Sequence, residues 1–188
     1  MTSLEHIEWA ALPAPVDDGA ADHLVGLRLP SIELPSTDGR LLDLSALRGL
    51  TVIYAYPMTG RPDAELPEGW DTLPGARGCT PQACAFRDHF GEISATGMSH
   101  LFGISTQDTD YQREAVDRLH LPYQLLSDAS LNLSTALRMP TFVVNGVTLL
   151  KRLTLIVADA QISHVFYPVF PPDRSVIDVL EWLSRGKQ

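Results

Sequence analysis

The sequence predicts an α/β fold in which helices flank a central mixed β-sheet on both faces. One observation is the run Thr-Val-Ile-Tyr-Ala-Tyr at residues 51–56, which is β-branched and aromatic without polar alternation, as is typical of a strand buried on both faces. Another is that strand and helix patterns alternate in the middle of the chain and give way to hairpins towards its end. At 188 residues, 45% hydrophobic and 20% charged, the chain can bury the core of one domain.

The first part of the chain predicts an arm followed by a hairpin. Residues 1–21 place short apolar groups between prolines and acidic residues without a sustained period, so we interpret them as an arm that is loose or packs on a neighbour. A single domain is then expected over residues 22–188. Its first elements are short strands at 31–34 and 40–44, and the Asp-Gly pair between them is a strong hairpin signal. The fold is therefore expected to carry an N-terminal hairpin extension.

A long loop follows the central strand, which Pro57 stops. Residues 58–78 are dense in glycine and proline and show no period, so they predict a loop insertion. The loop is longer than an ordinary connection in a compact domain, which indicates a lid or a binding loop. Trp70, within it, could pack as a lid or anchor a partner.

The remaining elements are predicted from periodicity and turn signals. Helices are expected from 80 to about 89, after an Asp108 cap to about 119, at 130–137 and from 173 to about 184. Strands are expected at 101–105, 122–126, 141–144, from 147 onward, at 153–157 and at 162–166, with turns at Asn145-Gly146 and Asp159-Ala160. The last helix is expected to bury Val176, Ile177, Leu180 and Leu183.

Both cysteines of the chain lie at the start of the first predicted helix. Thr80 suits the N-cap and Pro81 the first helical position, where a missing N–H has no cost. Cys79 then lies at the helix N-terminus, where free N–H groups and the positive end of the helix dipole favour a thiolate. The alternative is that a cysteine is only a small buried apolar residue, and this alternative is more open for Cys84 on the helix body.

Composition excludes several classes of function. A net charge of −9 and a pI near 5.0 argue against nucleic acid as a partner. The six histidines are scattered, and neither a glycine-rich phosphate loop nor a Gly-x-Ser-x-Gly elbow is present, so no metal, no cofactor and no acyl transfer are expected.

The expected compartment is the cytoplasm. Glu5 and Glu8 stand where a signal peptide would be basic and then apolar, and no apolar run is long enough to span a membrane. In that compartment structural disulfides are rare, so a closely spaced cysteine pair is more often redox-active or catalytic.

The cysteine segment resembles that of the peroxiredoxins, specifically the PrxQ or bacterioferritin-comigratory branch. The residues that carry the resemblance are 78–88, Gly-Cys-Thr-Pro-Gln-Ala-Cys-Ala-Phe-Arg-Asp, placed after a strand that ends in Tyr-Pro. Segments 30–44, 103–106, 125–128 and 152–159 are also similar to family segments. The resemblance implies a thioredoxin-like fold, a peroxide substrate, and thioredoxin or glutaredoxin as the reductant.

The resemblance also implies a role for individual residues. Cys79 corresponds to the peroxidatic cysteine and Cys84 to the resolving cysteine. Arg152 corresponds to the guanidinium that orients the peroxide, and Pro57 to the proline that shields the pocket. Arg138 also lies near a predicted strand and competes for the arginine role. We favour Arg152, since a threonine follows it two residues later as in the family motif.

One departure from the family pattern concerns a hydroxyl group. The family motif is Pro-x-x-x-Thr-x-x-Cys. In this chain Ala76 occupies the threonine position three residues before Cys79, and the proline, Pro57, lies far upstream. Thr59 or Thr72 could fold back to supply the missing hydroxyl, and we prefer Thr59 because it stays close to the proline.

The leading hypothesis from the sequence is a thiol-dependent peroxidase that reduces hydrogen peroxide or organic hydroperoxides. It would use Cys79 and Cys84 of one chain, with no membrane partner, as a monomer or homodimer. One alternative is a non-catalytic redox sensor in which the cysteine couple switches a partner-binding surface. Another is a one-cysteine peroxidase in which Cys84 is a bystander.

Overall fold

A computed structural model describes residues 7–185 and contains nine strands and five helices in that range. In chain order these are β1 Glu33–Pro35, β2 Leu41–Asp43, β3 Leu50–Ala55, α1 Cys79–Asp88, α2 Phe90–Ala95, β4 Met98–Ser105, α3 Thr109–Leu119, β5 Gln124–Ser127, α4 Asn132–Leu137, β6 Thr141–Val144, β7 Val147–Leu150, β8 Leu153–Ala158, β9 Gln161–Phe166 and α5 Ser175–Arg185. No helix within residues 7–185 is long and apolar enough to cross a membrane.

The central sheet has five strands in the order β5-β4-β3-β8-β9. Strand β3 runs parallel to β4 and antiparallel to β8, so the sheet is mixed and β3 is its middle strand. Successive side chains of β3 point to opposite faces of the sheet. Val52 and Tyr54 lie in the core on the face covered by helices α1, α3 and α5. Ile53 and Ala55 lie in the core on the other face, which includes residues of α4. The predicted fold class and the buried central strand are confirmed.

The N-terminal hairpin of β1 and β2 covers the edge of the sheet. Leu34 pairs with Leu42 across the hairpin, and Ser36 forms an isolated bridge with Leu126 of β5. The amide of Thr37 donates to the carbonyl of Leu125 at 3.1 Å. The predicted hairpin is confirmed, with strands slightly displaced from the expected bounds.

The described part of the arm is held against the domain at two points. Trp9 donates its indole N–H to Asp173 at 2.9 Å and meets the ring of Phe170 edge-on. Farther along, Asp18 accepts hydrogen bonds from Lys151 at 2.6 Å and Tyr167 at 2.7 Å. Residues 1–6 of the predicted arm and residues 186–188 of the predicted domain lie outside the described residues.

The long loop after β3 is fixed by its tryptophan. Trp70 is 4% exposed and packs with Ala76, Val144 and Leu149, and its ring lies 6.4 Å from that of Phe142. Strands β6 and β7 carry most of these partners. The loop contains one short 3-10 turn and no strand, as its composition predicts, and Trp70 anchors it to the β6–β7 hairpin.

The start of α1 differs from the prediction. Its N-cap is Gly78, not Thr80, with φ 105° and ψ 18°, and the first helical hydrogen bond runs from the amide of Gln82 to the carbonyl of Gly78 at 3.0 Å. Any side chain at Gly78 would come within 2.7 Å of Trp9 and Pro172. Pro81 is still tolerated as the third residue of the helix, because first-turn N–H groups have no partner within a helix.

The last helix also differs in detail. It begins at Ser175 after a 3-10 turn over Pro172–Arg174 and buries Val176 and Leu183 as expected. Val179 is buried although it was not among the predicted residues, whereas Ile177 and Leu180 are half-buried. The buried residues of α5 therefore recur with the predicted helical period, but the buried face is rotated by part of a turn from the predicted face.

Candidate active site

Cys79 lines a cleft of about 410 Å³. Two donors converge on Sγ, since Nη2 of Arg152 lies at 3.2 Å and the amide nitrogen of Met58 at 3.4 Å. The thiol itself can donate only to the carbonyl of Ala76, at 3.7 Å. Because an anionic sulfur can accept from both donors at once, this arrangement is suited to a thiolate.

Strand register explains how these groups meet. Cys79 is the first residue of α1, where backbone N–H groups are free of helical partners. Ala55 at the end of β3 pairs with Leu153 at the start of antiparallel β8. The residues just beyond this pair therefore leave the sheet at the same end, which brings Met58 and Arg152 to one side of the helix start.

Arg152 is buried without an acidic partner. It is 3% exposed, and its Nη2 lies 3.3 Å from each of the carbonyl oxygens of Gly75, Ala76 and Arg77, which share its two N–H groups with the sulfur of Cys79. Among residues 7–185 no ion pair joins it to a carboxylate. A buried charge without a counter-charge is costly, so an anion at the sulfur of Cys79 would balance the guanidinium.

Gln82 holds the arginine in place and was not anticipated from the sequence. Its Oε1 accepts a short hydrogen bond from Nη1 of Arg152, and its Nε2 donates to Oγ of Ser175 at 3.3 Å. That hydroxyl lies 3.1 Å from Oγ1 of Thr154. The available signal was spacing, because residues three apart on a helix share a face and Gln82 lies three after Cys79.

The other predicted site residues lie at different distances from the sulfur. Pro57 is buried two residues after the end of β3 and precedes Met58. Thr59 is buried, but its hydroxyl donates to Oε1 of Gln107 at 3.2 Å, and no described hydrogen bond joins it to Cys79. Gln107 holds Thr59 in this orientation, because it also accepts from the Thr59 amide at 3.0 Å and donates to its carbonyl at 3.1 Å.

The two alternatives to those residues lie at the surface. Thr72 is exposed and donates its hydroxyl to the carbonyl of Gly69 at 2.7 Å. Arg138 is exposed and follows α4 in a left-handed backbone conformation with φ 51°. Thr80, which we expected only to cap the helix, lines the cleft beside Cys79.

Cys84 lies on the second turn of α1 and is 8% exposed. Burial raises the pKa of the Cys84 thiol, against a smaller opposing effect of Arg87. Both cysteines are free. Five helical residues place their Cα atoms roughly 8–9 Å apart on different faces, whereas a disulfide needs about 7 Å or less. The helix must therefore open before Cys79 and Cys84 can bond.

The body of α1 is held on the sheet by aromatic residues. The ring of Phe86 stacks on Tyr54 of β3, with centroids 4.6 Å apart. Tyr123 donates its hydroxyl to the carbonyl of Ala83 at 2.8 Å and lies 3.0 Å from the hydroxyl of Tyr54. Burial raises the pKa of Tyr54 and Tyr123 far above the usual range, so both stay neutral hydrogen-bonding groups.

The mixed sheet with its flanking helices defines a thioredoxin-like fold, in which Cys79 at the start of α1 faces the buried Arg152. The chain belongs to the Redoxin family, whose model matches residues 24–180.

Named relatives are peroxiredoxins. Peroxiredoxin bcp1 of Schizosaccharomyces pombe is 37% identical over 122 residues, which are 62% of this chain and 54% of that protein. Peroxiredoxin Q, chloroplastic, of Oryza sativa subsp. japonica is 28% identical over 161 residues, 85% of this chain and 66% of that one. The chain thus spans about half to two thirds of the length of these curated relatives.

A solved structure is similar along most of the chain. Peroxidoxin BcpB from Mycobacterium tuberculosis is 26% identical, with a TM-score of 0.69, and the match covers 86% of this chain and 96% of that one. The thioredoxin-like fold that the sequence resemblance implies is confirmed.

Proposed function

We propose that the protein is a thiol-dependent peroxidase that reduces hydrogen peroxide or organic hydroperoxides with Cys79. The observation that carries this proposal is the pair of donors on the Cys79 sulfur, with Arg152 at 3.2 Å and Met58 at 3.4 Å, beside the cleft that Cys79 lines. Membership of the Redoxin family and the peroxiredoxin names of its relatives support it.

The first chemical step needs only these groups. The Cys79 thiolate attacks one oxygen of the peroxide, an S–O bond forms and the O–O bond breaks, so sulfur is oxidised to sulfenic acid. The second oxygen leaves as hydroxide or alkoxide and takes a proton to become water or an alcohol. Negative charge moves from sulfur to the leaving oxygen, and the guanidinium of Arg152 and the N–H of Met58 can stabilise that charge as it develops. Pro57, buried beside Met58, would shield this step from water.

We further propose that Cys84 completes the cycle. Its thiol attacks the sulfenic acid of Cys79, a disulfide forms and water leaves. A dithiol of thioredoxin or glutaredoxin then reduces the disulfide in the cytoplasm, where such reductants keep thiols reduced. The helix geometry requires that the first turns of α1 open before the bond forms.

Mass spectrometry after one equivalent of hydrogen peroxide tests both proposals. The wild type should lose two hydrogens as a Cys79–Cys84 disulfide, Cys84→Ser should gain one oxygen at Cys79, and Cys79→Ser should not react. A sulfenic acid that persists in the wild type would favour the one-cysteine peroxidase. A steady-state assay with thioredoxin and its reductase separates the enzyme from the redox sensor, since a sensor would be oxidised once and slowly.

A further inference from the structure

We infer that Gln107 is a positioning residue that holds the backbone N–H of Met58 on the sulfur of Cys79. This inference rests on the proposed peroxidase function and adds a group to its first step. Met58 supplies one of the two donors on the sulfur, at 3.4 Å. Within residues 7–185 no hydrogen bond joins Gln107 to Cys79 directly, so Gln107 acts through the loop that carries Met58.

The Met58 donor needs support because it lies at the start of the long loop. The last backbone bond to the sheet before it is made by Tyr56, whose amide donates to the carbonyl of Ile104 at 3.1 Å. The chain then enters the segment between β3 and α1, which contains one short 3-10 turn and no strand. A backbone group in such a segment is held by individual contacts rather than by a ladder of hydrogen bonds.

Gln107 supplies that contact at the residue after Met58. Its Oε1 accepts from the amide of Thr59 at 3.0 Å and from the Thr59 hydroxyl at 3.2 Å, and its Nε2 donates to the Thr59 carbonyl at 3.1 Å. The Thr59 amide belongs to the planar peptide unit that begins with the Met58 carbonyl, so this bond fixes the backbone on the C-terminal side of Met58. On the N-terminal side, Pro57 has a restricted φ and follows the sheet bond of Tyr56. Met58 is therefore held from both sides.

Gln107 is itself placed by the central sheet. It lies between the end of β4 and Asp108, the N-cap of α3. Its amide donates to Oγ of Ser105 at 3.3 Å, and its carbonyl accepts from Oγ of Ser127 at 2.6 Å. Both serines are buried, at the ends of β4 and β5. A side chain set on such elements is placed more precisely than one held only by a loop.

Strand register explains why Gln107 reaches the loop. Strands β3 and β4 are parallel, and Ala55 pairs with Ile104 near their ends. The segments that follow two parallel neighbours leave the sheet at the same edge. Thr59 and Gln107 follow this pair on the two strands, so the topology brings them together although they are distant in sequence.

The position of the Met58 N–H matters for two stages of the reaction. A hydrogen bond weakens steeply as its distance and angle depart from the optimum. While it points at the sulfur, the N–H stabilises the Cys79 thiolate, and during attack it stabilises the charge that develops on the leaving oxygen. Without Gln107 we expect less thiolate at a given pH and a slower attack on peroxide.

The test measures the thiolate without any peroxide. In a Cys84→Ser background, where Cys79 is the only thiol, mass spectrometry gives the rate of alkylation by iodoacetamide from about pH 4 to about pH 10. Gln107→Leu removes all three bonds to Thr59. It should raise the midpoint of the pH–rate profile by about half to one pH unit, because part of a hydrogen bond to a charged group is lost. At a pH above both midpoints, single-turnover oxidation by hydrogen peroxide should slow by about three- to tenfold.

Further variants separate positioning from other roles. Gln107→Ala removes the same bonds and leaves room for water, so its midpoint should move in the same direction. Thr59→Val removes the hydroxyl bond but keeps the two backbone bonds, so its midpoint should move less than that of Gln107→Leu. Gln124→Leu is the matched control. Gln124 is also half-buried, lies at the opposite end of β5 from Ser127, and has no side-chain hydrogen bond to another described residue, so the midpoint should stay at the wild-type value.

Thermal unfolding of each variant distinguishes stability from positioning. Equal midpoints in the wild type and both Gln107 variants would overturn the inference even if those variants melt at a lower temperature, since that pattern belongs to a residue that only stabilises the loop. A larger shift in Thr59→Val than in Gln107→Leu would also overturn it, because the hydroxyl would then be the active group. An equal shift in Gln124→Leu would do the same by showing that the effect is unspecific.

The inference and the proposed function can fail separately, because alkylation involves no peroxide. A wild type that hydrogen peroxide does not oxidise would contradict the peroxidase function. Rapid oxidation of the wild type together with unchanged midpoints in the Gln107 variants would contradict the role of Gln107 alone.

Discussion

Arg152→Lys should slow the oxidation of Cys79 strongly while leaving the fold intact. The two terminal nitrogens of Arg152 meet five acceptors, namely the side chain of Gln82, three backbone carbonyls and the sulfur of Cys79. A lysine keeps the positive charge but offers only three donors from one nitrogen. It cannot reproduce the planar fork, in which Nη1 meets Gln82 while Nη2 faces the carbonyls and the sulfur.

The magnitude follows from the contact at the sulfur. A hydrogen bond to a charged group contributes about 1.5–3 kcal/mol, and the contact becomes more important as charge moves onto the leaving oxygen. Each 1.4 kcal/mol of transition-state stabilisation corresponds to about tenfold in rate. Losing this one interaction should therefore lower the second-order rate constant for hydrogen peroxide by about 10- to 150-fold.

The assay is single-turnover oxidation followed by stopped-flow fluorescence, with thermal unfolding as a check on the fold. Arg138→Lys is the matched control, because Arg138 is exposed and lies near a neighbouring strand without a described hydrogen bond to Cys79. A change of less than threefold in Arg152→Lys would refute the reasoning. A large effect of Arg138→Lys would show that the wrong arginine has been assigned.

Three further predictions follow from the same helix. Gln82→Leu removes the acceptor that holds Nη1 of the arginine, so peroxide oxidation should slow, Gln82→Glu should retain most of the rate, and equal rates in both variants would exclude a positioning role. Amide exchange over residues 80–90 should rise in the Cys79–Cys84 disulfide form while residues 51–56 stay protected, and unchanged exchange in a fully oxidised sample would contradict local opening. Burial raises the pKa of Cys84, so the folded state holds this proton more tightly than the unfolded chain. The resulting stability is present below the ordinary cysteine range and is lost above it, so the melting temperature of the wild type should fall more steeply between about pH 8 and 10 than that of Cys84→Ala. Parallel curves would contradict this.

The fold was predictable because its signals are local. The run at 51–56 is apolar on both faces, and it forms the middle strand of the sheet. Asp108 caps helix α3 as expected, with its carboxylate accepting from the amide of Tyr111 at 2.7 Å. The Asn145-Gly146 turn joins β6 to β7, as expected. In each case a residue and its near neighbours are sufficient to specify the conformation.

The start of α1 was not predictable for the opposite reason. Thr80 and Pro81 are good local signals for a helix start, yet Gly78 begins the helix in a left-handed conformation. Residue 78 must be a glycine because Trp9 and Pro172, which are remote in sequence, fill the space that a side chain there would need. The same limit applies to the site, where contacts between distant segments decide which groups reach the sulfur.

Thr59 shows this limit for a single hydroxyl. Its closeness to Pro57 in sequence favoured a contact with Cys79, but Gln107, from the segment after β4, holds its amide, carbonyl and hydroxyl. The sequence contains no local sign of this pairing. Proximity along the chain therefore does not decide which partner the Thr59 hydroxyl takes.

The proposed reaction cycle places two opposing demands on the helix start. Attack on peroxide requires Cys79 fixed between its two donors, whereas disulfide formation requires the turn between the cysteines to open. The contacts divide at this boundary. Trp9 and Pro172 pack against Gly78 at the start of the helix. Phe86, which follows Cys84, stacks on Tyr54 of the sheet. The opening that the proposed disulfide requires could therefore break the first turns while Phe86 keeps the rest of the helix on the sheet, and the arm that carries Trp9 contacts the part that would move.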